Sequence, residues 1–294
     1  MSRPRFDRRT AACAVAIATV VAGCAKARNG DSFPSWETFR SFVPRDDRGA
    51  FIVEGDLPVW TEEDLRAYYD EQRGLAEERE NPLGVSREAL KVNLRTDGKD
   101  DLWPTPDRFD LTYCISSDFG TRFNAVANAM ASAARSWSNR LGVAYRYVPS
   151  SVLPCSSGNW DVDFDVTPWG DRGPTTYALA FMPSDARAKR ELFIADAAFT
   201  TTDFGIDLEG VLRHELGHAI GFRHEHIGLV VGGWTCGGFE DDPYRNVTEY
   251  DENSVMHYPH CRSTPGGGYH QTETDYRGGT SLYGLAPALT TGLL

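Results

Sequence analysis

The sequence predicts an α/β fold with a layer of about five strands and two long helices. Short runs in which apolar residues occupy every second position predict the strands, and two longer segments in which apolar residues recur every three or four positions predict the helices. The composition agrees, because 41% of the 294 residues are hydrophobic and 24% are charged, as in a globular protein that buries a core.

The predicted elements follow one another from residue 109 onward. The first predicted strand alternates between apolar and other residues, so we expect it to be half-buried. Its apolar residues are Phe109, Leu111, Tyr113 and Ile115. A long helix follows, and its apolar face consists of Phe123, Val126, Met130, Ala134, Trp137 and Leu141. Further short strands are predicted at about residues 143–148, 162–166, 177–181 and 192–196. The second long helix is predicted to begin near Asp207.

Residues 1–23 are typical of a secretory signal peptide, because basic residues precede an uncharged run that is too short to span a bilayer. The run ends in Gly23-Cys24, which resembles a bacterial lipobox, and Cys24 is then the predicted lipidation site. Ordinary cleavage after Ala27 is the alternative. The chain is therefore expected to be exported, either to the bacterial cell envelope as a lipoprotein or as a secreted protein.

The exported part of the chain divides into two segments that differ in composition and in the periodicity of their apolar residues. Residues 24–108 are charged and rather rich in proline, with one helical stretch at 61–79, so they are predicted to be a pro-region or an N-terminal extension. Residues 109–294 carry the periodic strands and helices described above, and we expect them to form the functional domain.

Four cysteines remain after the signal: Cys114, Cys155, Cys236 and Cys261. An even number in an oxidising compartment predicts two disulfides. Three pairings are open, and we favour Cys114 with Cys155 and Cys236 with Cys261, because each pair closes one moderate loop. Zinc ligation by these thiols is the competing interpretation, but no C-x-x-C pair occurs.

The charge restricts the partners. A formal net charge of -12 argues against a surface that binds nucleic acid. A membrane is expected to be contacted only through the N-terminal lipid, and we expect a monomer.

A histidine cluster predicts a metal site. His214 and His218 are one helical turn apart, so both imidazoles project from the same face, with Glu215 beside them. Gly221 can adopt a left-handed conformation, which ends the helix and returns the chain so that His224 supplies a third nitrogen. Three imidazoles with an open fourth position are the ligand set of a catalytic zinc site, so Zn²⁺ is the predicted cofactor.

This helix, together with the segment 254–258, resembles the metzincin zinc endopeptidases, and the astacin-like type most closely. The resemblance implies a metzincin-like α+β catalytic domain with a mixed sheet, one antiparallel edge strand and a zinc cleft. It also implies a C-terminal subdomain in which 254–258 form the Met-turn and 274–284 the closing helix. Met256 would be an apolar floor under the metal, and Tyr258 a switchable fifth ligand.

The resemblance is incomplete around the Met-turn. Residues 227–228 depart from the usual astacin pattern, and an insertion containing Trp234, Cys236 and the acidic residues 240–242 precedes the Met-turn. We therefore expect a distinct bacterial branch of astacin-like enzymes.

The expected function is zinc-dependent cleavage of peptide bonds in protein or peptide substrates. Glu215 would accept a proton from the attacking water, and Tyr258 would hydrogen-bond the developing oxyanion, unless its hydroxyl merely satisfies a neighbour. The resemblance implies that residues 177–181 pair with the substrate backbone, although an ordinary core strand is the alternative. A catalytically inactive, surface-anchored binding lipoprotein is the alternative for the whole chain.

The remaining histidines and one glutamate are also assigned from the sequence. We expect that His226, His257, His260 and His270 are not ligands, because three nitrogens complete the set. In astacin-like enzymes the residue at Glu225 meets the amine of the processed N-terminus, and an exposed surface carboxylate is the alternative.

Residues 51–57 resemble the Phe-x-Gly-Asp pro-region motif of astacins, with Val53 in place of the usual phenylalanine. The resemblance implies that Asp56 occupies the catalytic position on the zinc and keeps the enzyme latent. Gly55 would allow the backbone to approach the metal. The alternative is a simple turn before Leu57 and Pro58.

Overall fold

The computed structural model describes residues 35–46, 48–53, 56–79, 90–149, 154–226, 230–231, 234–235 and 244–287. The predicted signal peptide, Cys24, Gly55 and Cys236 lie outside the described residues, so the predictions about them stay predictions. Within the described part of the chain, no helix combines the length and the apolar character that crossing a membrane requires.

Five α-helices and twelve short strands make up the described chain. The helices are α1 (Trp36–Phe42), α2 (Glu62–Arg79), α3 (Phe123–Ser138), α4 (Leu208–Ala219) and α5 (Glu273–Tyr283). The strands are β1 (Phe51–Val53), β2 (Leu57–Val59), β3 (Lys91–Asn93), β4 (Leu111–Ile115), β5 (Tyr145–Tyr147), β6 (Phe164–Gly170), β7 (Ala178–Leu179), β8 (Glu191–Ala195), β9 (Phe222–Arg223), β10 (Val230–Val231), β11 (Trp234–Thr235) and β12 (Tyr244–Asn246).

The central sheet has five strands in the order β5-β4-β6-β8-β7. Neighbouring strands run parallel from β5 to β8, whereas β7 pairs antiparallel with β8 at the edge. The predicted mixed sheet with one antiparallel edge strand is confirmed. The strand predicted at residues 177–181 is shorter than expected, since only Ala178–Leu179 pairs with β8.

The first predicted strand is wrong in its start and in its degree of burial. Phe109 lies in a 3-10 turn and is 41% exposed, and β4 begins at Leu111. Every residue of β4 is buried, because both faces of the sheet are covered. Leu111 packs in the main core, and Cys114 on the opposite face packs against Cys155 and Val162.

Helices α3 and α4 pack together against the central sheet. The predicted apolar face of α3 is confirmed, since Met130 and Trp137 are fully buried in the main core. Trp137 also donates a hydrogen bond from Nε1 to the carbonyl of Arg213 at 3.0 Å. This contact connects α3 directly to the turn of α4 that precedes His214.

The ends of α4 are determined by two residues. Asp207 caps the first turn by accepting a hydrogen bond from Gly210 N at 2.7 Å. At the other end Gly221 has φ +93°, and a Cβ there would lie 2.2 Å from the carbonyl oxygen of Asp101. Only glycine fits this position, and the resulting turn returns the chain into β9 and to His224.

The N-terminal segment has an apolar cluster of its own. The hairpin of β1 and β2 packs on α2 through Phe51, Val53, Val59, Leu65 and Tyr68. It also contacts the edge of the central sheet, where Ile52 packs against Leu179 and Phe193. Beside these residues Arg48 forms an ion pair of 2.6 Å with Glu191.

Residues 90–108 pack into the same core as the strands and helices that follow them. Strand β3 is the middle strand of a three-stranded antiparallel sheet with β12 and β9. Leu90 and Trp103 belong to the main core, and Trp103 donates from Nε1 to the carbonyl of Ala219 at 2.7 Å. The core therefore has no division at the predicted boundary between residues 108 and 109.

Candidate metal centre

Three buried histidines bring their Nε2 atoms together beside α4. The Nε2 atom of His214 lies 3.0 Å from that of His224 and 3.2 Å from that of His218, and the third pair is 3.2 Å apart. The helix places His214 and His218 on one face, and the turn at Gly221 brings His224 to them, as the sequence predicted.

The opposite nitrogens of the first two rings are held by backbone carbonyls. Nδ1 of His214 lies 2.7 Å from the carbonyl oxygen of Val255, and Nδ1 of His218 lies 2.7 Å from that of Phe222. A carbonyl only accepts, so each Nδ1 carries the proton and donates it. Each Nε2 therefore presents a lone pair.

Converging lone pairs suit a cation. Burial lowers the pKa of His214 and holds that of His218 well below its usual value, so both rings are neutral ligands. Two nitrogens bound to one tetrahedral zinc at about 2.0–2.1 Å lie about 3.3 Å apart, which agrees with the observed spacing. The three histidines therefore fit zinc.

Asp56 of the N-terminal segment meets this cluster. Its Oδ2 atom lies 3.1 Å from His224 Nε2 and 3.5 Å from His214 Nε2, and the side chain is buried. Burial raises the pKa of this carboxyl, but the neighbouring histidines outweigh burial and hold it well below its usual value. Asp56 and the three histidines together form a group of four potential metal ligands.

Glu215 lies beside the cluster and is 3% exposed. Burial, and secondarily the charge of Asp56, raises the pKa of its carboxyl well above the usual value. Its Oε2 atom, like Oδ1 of Asp56, has no hydrogen-bond partner among the described residues. Both oxygens are therefore available to groups that enter the site.

Tyr258 borders the cluster on the side of Asp56. Its hydroxyl donates to Asp56 Oδ2 at 2.8 Å, and its ring lies 4.5 Å from the His224 ring. The backbone N–H of Tyr258 donates to Nδ1 of the buried His226 at 3.3 Å. The structure thus brings His214, His218, His224, Tyr258 and Asp56 together.

Met256 packs beneath the cluster against α4. A Cβ on Gly217 would lie 2.3 Å from Met256 Sδ, so the methionine side chain lies directly against the helix between His214 and His218. Met256 and Gly217 are both buried. The methionine therefore packs in the core against the helix.

Asp275 anchors the turn below the histidines and was not among the site residues predicted from the sequence. This buried carboxylate accepts hydrogen bonds from Ser254 Oγ at 2.6 Å and from Val255 N at 3.0 Å. It also forms a capping box with Thr272 at the start of α5. The T-x-x-D pattern could have identified the cap, but not the contact with residues twenty positions earlier.

The histidines that were not expected to be ligands lie outside the group of potential metal ligands. Besides His226, described above, His257 Nε2 lies 2.9 Å from the hydroxyl of Tyr250, and His270 Nδ1 lies 2.9 Å from Arg213. His260 stacks on the ring of Tyr258 at 5.4 Å.

Glu225 is fully buried, so the alternative of an exposed surface carboxylate is wrong. Its Oε1 atom accepts from Asp251 N at 2.6 Å, and its backbone carbonyl accepts from Lys91 Nζ at 2.9 Å. Burial raises the pKa of the Glu225 carboxyl to about 8. Lys91 is itself fully buried in β3, so the segment after His224 rests on residues before the predicted domain boundary.

One of the two predicted disulfides is present. Cys114 and Cys155 are bonded, with their Cα atoms 5.6 Å apart, so these thiols do not bind zinc. Cys261 is also disulfide-bonded. Its predicted partner, Cys236, lies outside the described residues, so this pairing stays a prediction.

Part of the chain matches the model of a known protein family. The matrixin family model matches residues 102–228, which include the three histidines and Glu215. Among solved structures, the chain is similar to myroilysin, with 17% sequence identity and a TM-score of 0.43, over 66% of this chain and 98% of that chain. It is also similar to high choriolytic enzyme 1, a hatching enzyme zinc-protease from Oryzias latipes (medaka fish), with 17% identity and a TM-score of 0.40, over 62% of this chain and 94% of that chain. No curated protein matches.

Over residues 102–228 the match agrees with the metzincin class that the sequence predicted, and zinc as the cofactor agrees with the group of potential metal ligands. The astacin-like branch stays a prediction, because the matched family model is that of the matrixins.

Proposed function

We propose, from the premise that residues 102–228 form a metzincin domain of the matrixin type, that this chain is a zinc-dependent endopeptidase. Three buried imidazoles converge beside a buried carboxyl oxygen of Glu215 that has no hydrogen-bond partner among the described residues, and this arrangement carries the proposal. His214, His218 and His224 would hold the metal. An astacin-like bacterial branch remains part of the proposal.

The reaction needs an acceptor and a donor of protons beside the metal. Zinc, when bound, lowers the pKa of a coordinated water toward about 7 and polarises a peptide carbonyl. Glu215 accepts the proton of the attacking water and returns a proton to the leaving amine. Burial raises the pKa of this carboxyl, and a more basic carboxylate accepts a proton from water more readily.

Tyr258 stabilises charge that develops on the substrate. Its hydroxyl donates to an anionic oxygen in the structure, the Oδ2 of Asp56, at 2.8 Å. When a substrate carbonyl takes the position of that oxygen, the same hydroxyl donates to the developing oxyanion. A donor of this kind is worth about 10²–10³ in kcat.

The substrate is a protein or peptide chain in extended form. Strand β7 lies at the edge of the central sheet and shares the main core with α4. An exposed sheet edge pairs with an extended backbone, and this supports a substrate role for the region 177–181. In the uncut chain the N-terminal segment packs beside this edge through Ile52.

Casein cleavage by the processed protein tests the function. We expect cleavage to stop with a chelator and to fall by about 10³-fold or more in Glu215→Ala, because the proton acceptor is lost while the zinc ligands remain. Glu209→Ala, a second Glu→Ala change on α4, is the matched control and should keep activity. Full activity of a zinc-loaded Glu215→Ala protein would refute the mechanism, and an inactive wild type with bound zinc would favour the inactive binding lipoprotein.

We further propose that Asp56 keeps the uncut chain latent. Its position 3.1 Å from His224 Nε2, and its hydrogen bond from Tyr258, support this role, because a carboxylate oxygen is a good zinc ligand. The packing of Ile52 and the ion pair of Arg48 with Glu191 hold the segment on the domain.

Activity of the uncut protein tests the latency. Asp56→Ala should make the full-length chain active without processing, whereas wild type should become active only after cleavage. Asp70→Ala, on α2 in the same segment, is the matched control and should stay latent. Equal activity of uncut wild type and uncut Asp56→Ala would rule the switch out.

Processing and export remain proposals as well. Because Leu90, Lys91 and Trp103 are buried with the residues around the metal, we propose that the active unit keeps residues 90–108. Trimming to residue 109 should therefore yield unfolded or inactive protein.

Lipidation at Cys24 should be lost in Cys24→Ala when cells are labelled with a fatty acid, and label persisting in that variant would contradict the anchor.

A further inference from the structure

Phe204 has a backbone conformation that a bulky residue rarely adopts. It has φ +54° and ψ 19°, in the left-handed region, and is the only described residue other than glycine with positive φ. Its side chain is nevertheless 46% exposed. A large aromatic residue in this conformation has a strained backbone, and its exposed ring does not offset the strain by burial in the core. Strained positions of this kind cluster at functional sites.

The surrounding loops impose this conformation. The carbonyl of Phe204 accepts a hydrogen bond from Gly268 N at 2.9 Å. A Cβ on Gly268 would lie 2.3 Å from the carbonyl oxygen of Gly205, so the two loops cross in close contact. The next residues enter α4 through its cap at Asp207. The position of the Phe204 ring is thereby tied to the metal-binding helix.

A line of rings connects Phe204 with the metal centre. The Phe204 ring lies 6.0 Å from that of His260, at an angle of 44°. His260 stacks on Tyr258 at 5.4 Å, and Tyr258 lies 4.5 Å from the His224 ring. Phe204 therefore stands at the outer end of a row of aromatic side chains that begins at the metal ligands.

We propose that Phe204 is a specificity-determining residue that contacts a large apolar side chain of the substrate. The inference rests on the proposed peptidase function and names a contact of the same cleft. The exposed Phe204 ring beside His260 offers aromatic surface to an incoming side chain, and burying that surface favours leucine or phenylalanine over alanine.

The Tm of Phe204→Gly distinguishes a role of the ring in folding from a role in substrate recognition. If the ring stabilised the fold, replacing it with glycine would lower the Tm. If the ring serves recognition, Phe204→Gly relieves the left-handed strain and should raise the Tm by about 2–4 °C. Phe109→Gly, which removes another exposed aromatic ring remote from the metal centre, is the matched control and should not raise it.

Peptide cleavage measures the recognition. The full-length chain carrying Asp56→Ala is given fluorogenic peptides in which each residue near the cleaved bond is varied among Ala, Leu and Phe. Phe204→Gly should lower kcat/KM about 10-fold for the preferred Leu or Phe peptide, mainly through KM, and change the Ala peptide less than twofold. Phe204→Leu should restore part of the preference.

Binding separates this proposal from the proposed function. Zinc-loaded chain carrying Asp56→Ala and Glu215→Ala is titrated with labelled Leu and Ala peptides, and fluorescence anisotropy is measured. Tighter binding of the Leu peptide, lost in Phe204→Gly, supports the contact even if no peptide is cleaved. Equal affinities, an equal loss for all peptides, or a lower Tm in Phe204→Gly would overturn it, whereas absence of cleavage alone would count only against the peptidase function.

Discussion

Asp275 of the closing helix should control the metal affinity from a distance. Its Oδ2 atom accepts from Val255 N at 3.0 Å, and the carbonyl of the same Val255 accepts from His214 Nδ1 at 2.7 Å. The carboxylate therefore fixes the residue whose carbonyl orients a zinc ligand. We expect Asp275→Ala to lower both stability and zinc affinity.

The magnitude follows from the hydrogen bonds that are lost. Asp275→Ala leaves the buried Ser254 hydroxyl and Val255 N–H without their acceptor, and it removes the cap on Thr272 N. At about 1–3 kcal/mol for each of these two buried donors, the loss is about 2–6 kcal/mol of unfolding free energy. A changed partner behind a ligating histidine lowers metal affinity by about 10–100-fold.

Two measurements on the full-length chain check this prediction. Thermal unfolding with saturating zinc gives the stability, and competition with a chromogenic chelator gives the zinc affinity. Glu273→Ala, on the same helix, is the control, since it removes only an exposed ion pair with Arg140 and should change stability by less than about 1 kcal/mol. Zinc affinity unchanged in Asp275→Ala would refute the coupling through Val255, whatever happens to the Tm.

Three further perturbations have defined outcomes. Gly221→Ala places a Cβ against the carbonyl oxygen of Asp101 at a positive φ, so the free energy of unfolding should fall by at least about 3 kcal/mol. This variant should also lose zinc binding, and a normal zinc titration of the purified variant would contradict the prediction. Burial raises the pKa of Asp185 from 3.8 to about 6, so the stability that this group contributes is present below pH 3.8 and lost as pH rises through 6. Asp185→Asn, which keeps the acceptor for Met182 N, should therefore gain about 1–3 kcal/mol over wild type between pH 4 and pH 7 in denaturant titrations, and parallel pH curves would count against it. Removing zinc with a chelator should lower the Tm, since a metal at 1,000 times its Kd adds about 4 kcal/mol, and an unchanged Tm would show that no metal was held.

The helical periods and the caps carried most of the fold information in the sequence. A period of three to four residues identified α3 and α4, because an apolar stripe on a helix needs only local spacing. Alternation identified β4 but misjudged its burial, since the disulfide-linked loop that covers its second face comes from residues far along the chain.

The sequence by itself determined the ligand chemistry of this protein. The spacing of His214 and His218 and the glycine at position 221 are local features, and they suffice to predict a shared metal and the return of the chain. Only the tertiary structure decided which atoms orient those ligands, because Val255 and Asp275 reach the zinc helix through contacts between distant segments. It likewise placed residues 90–108 within the core, since burial depends on what packs around a strand and not on its own composition.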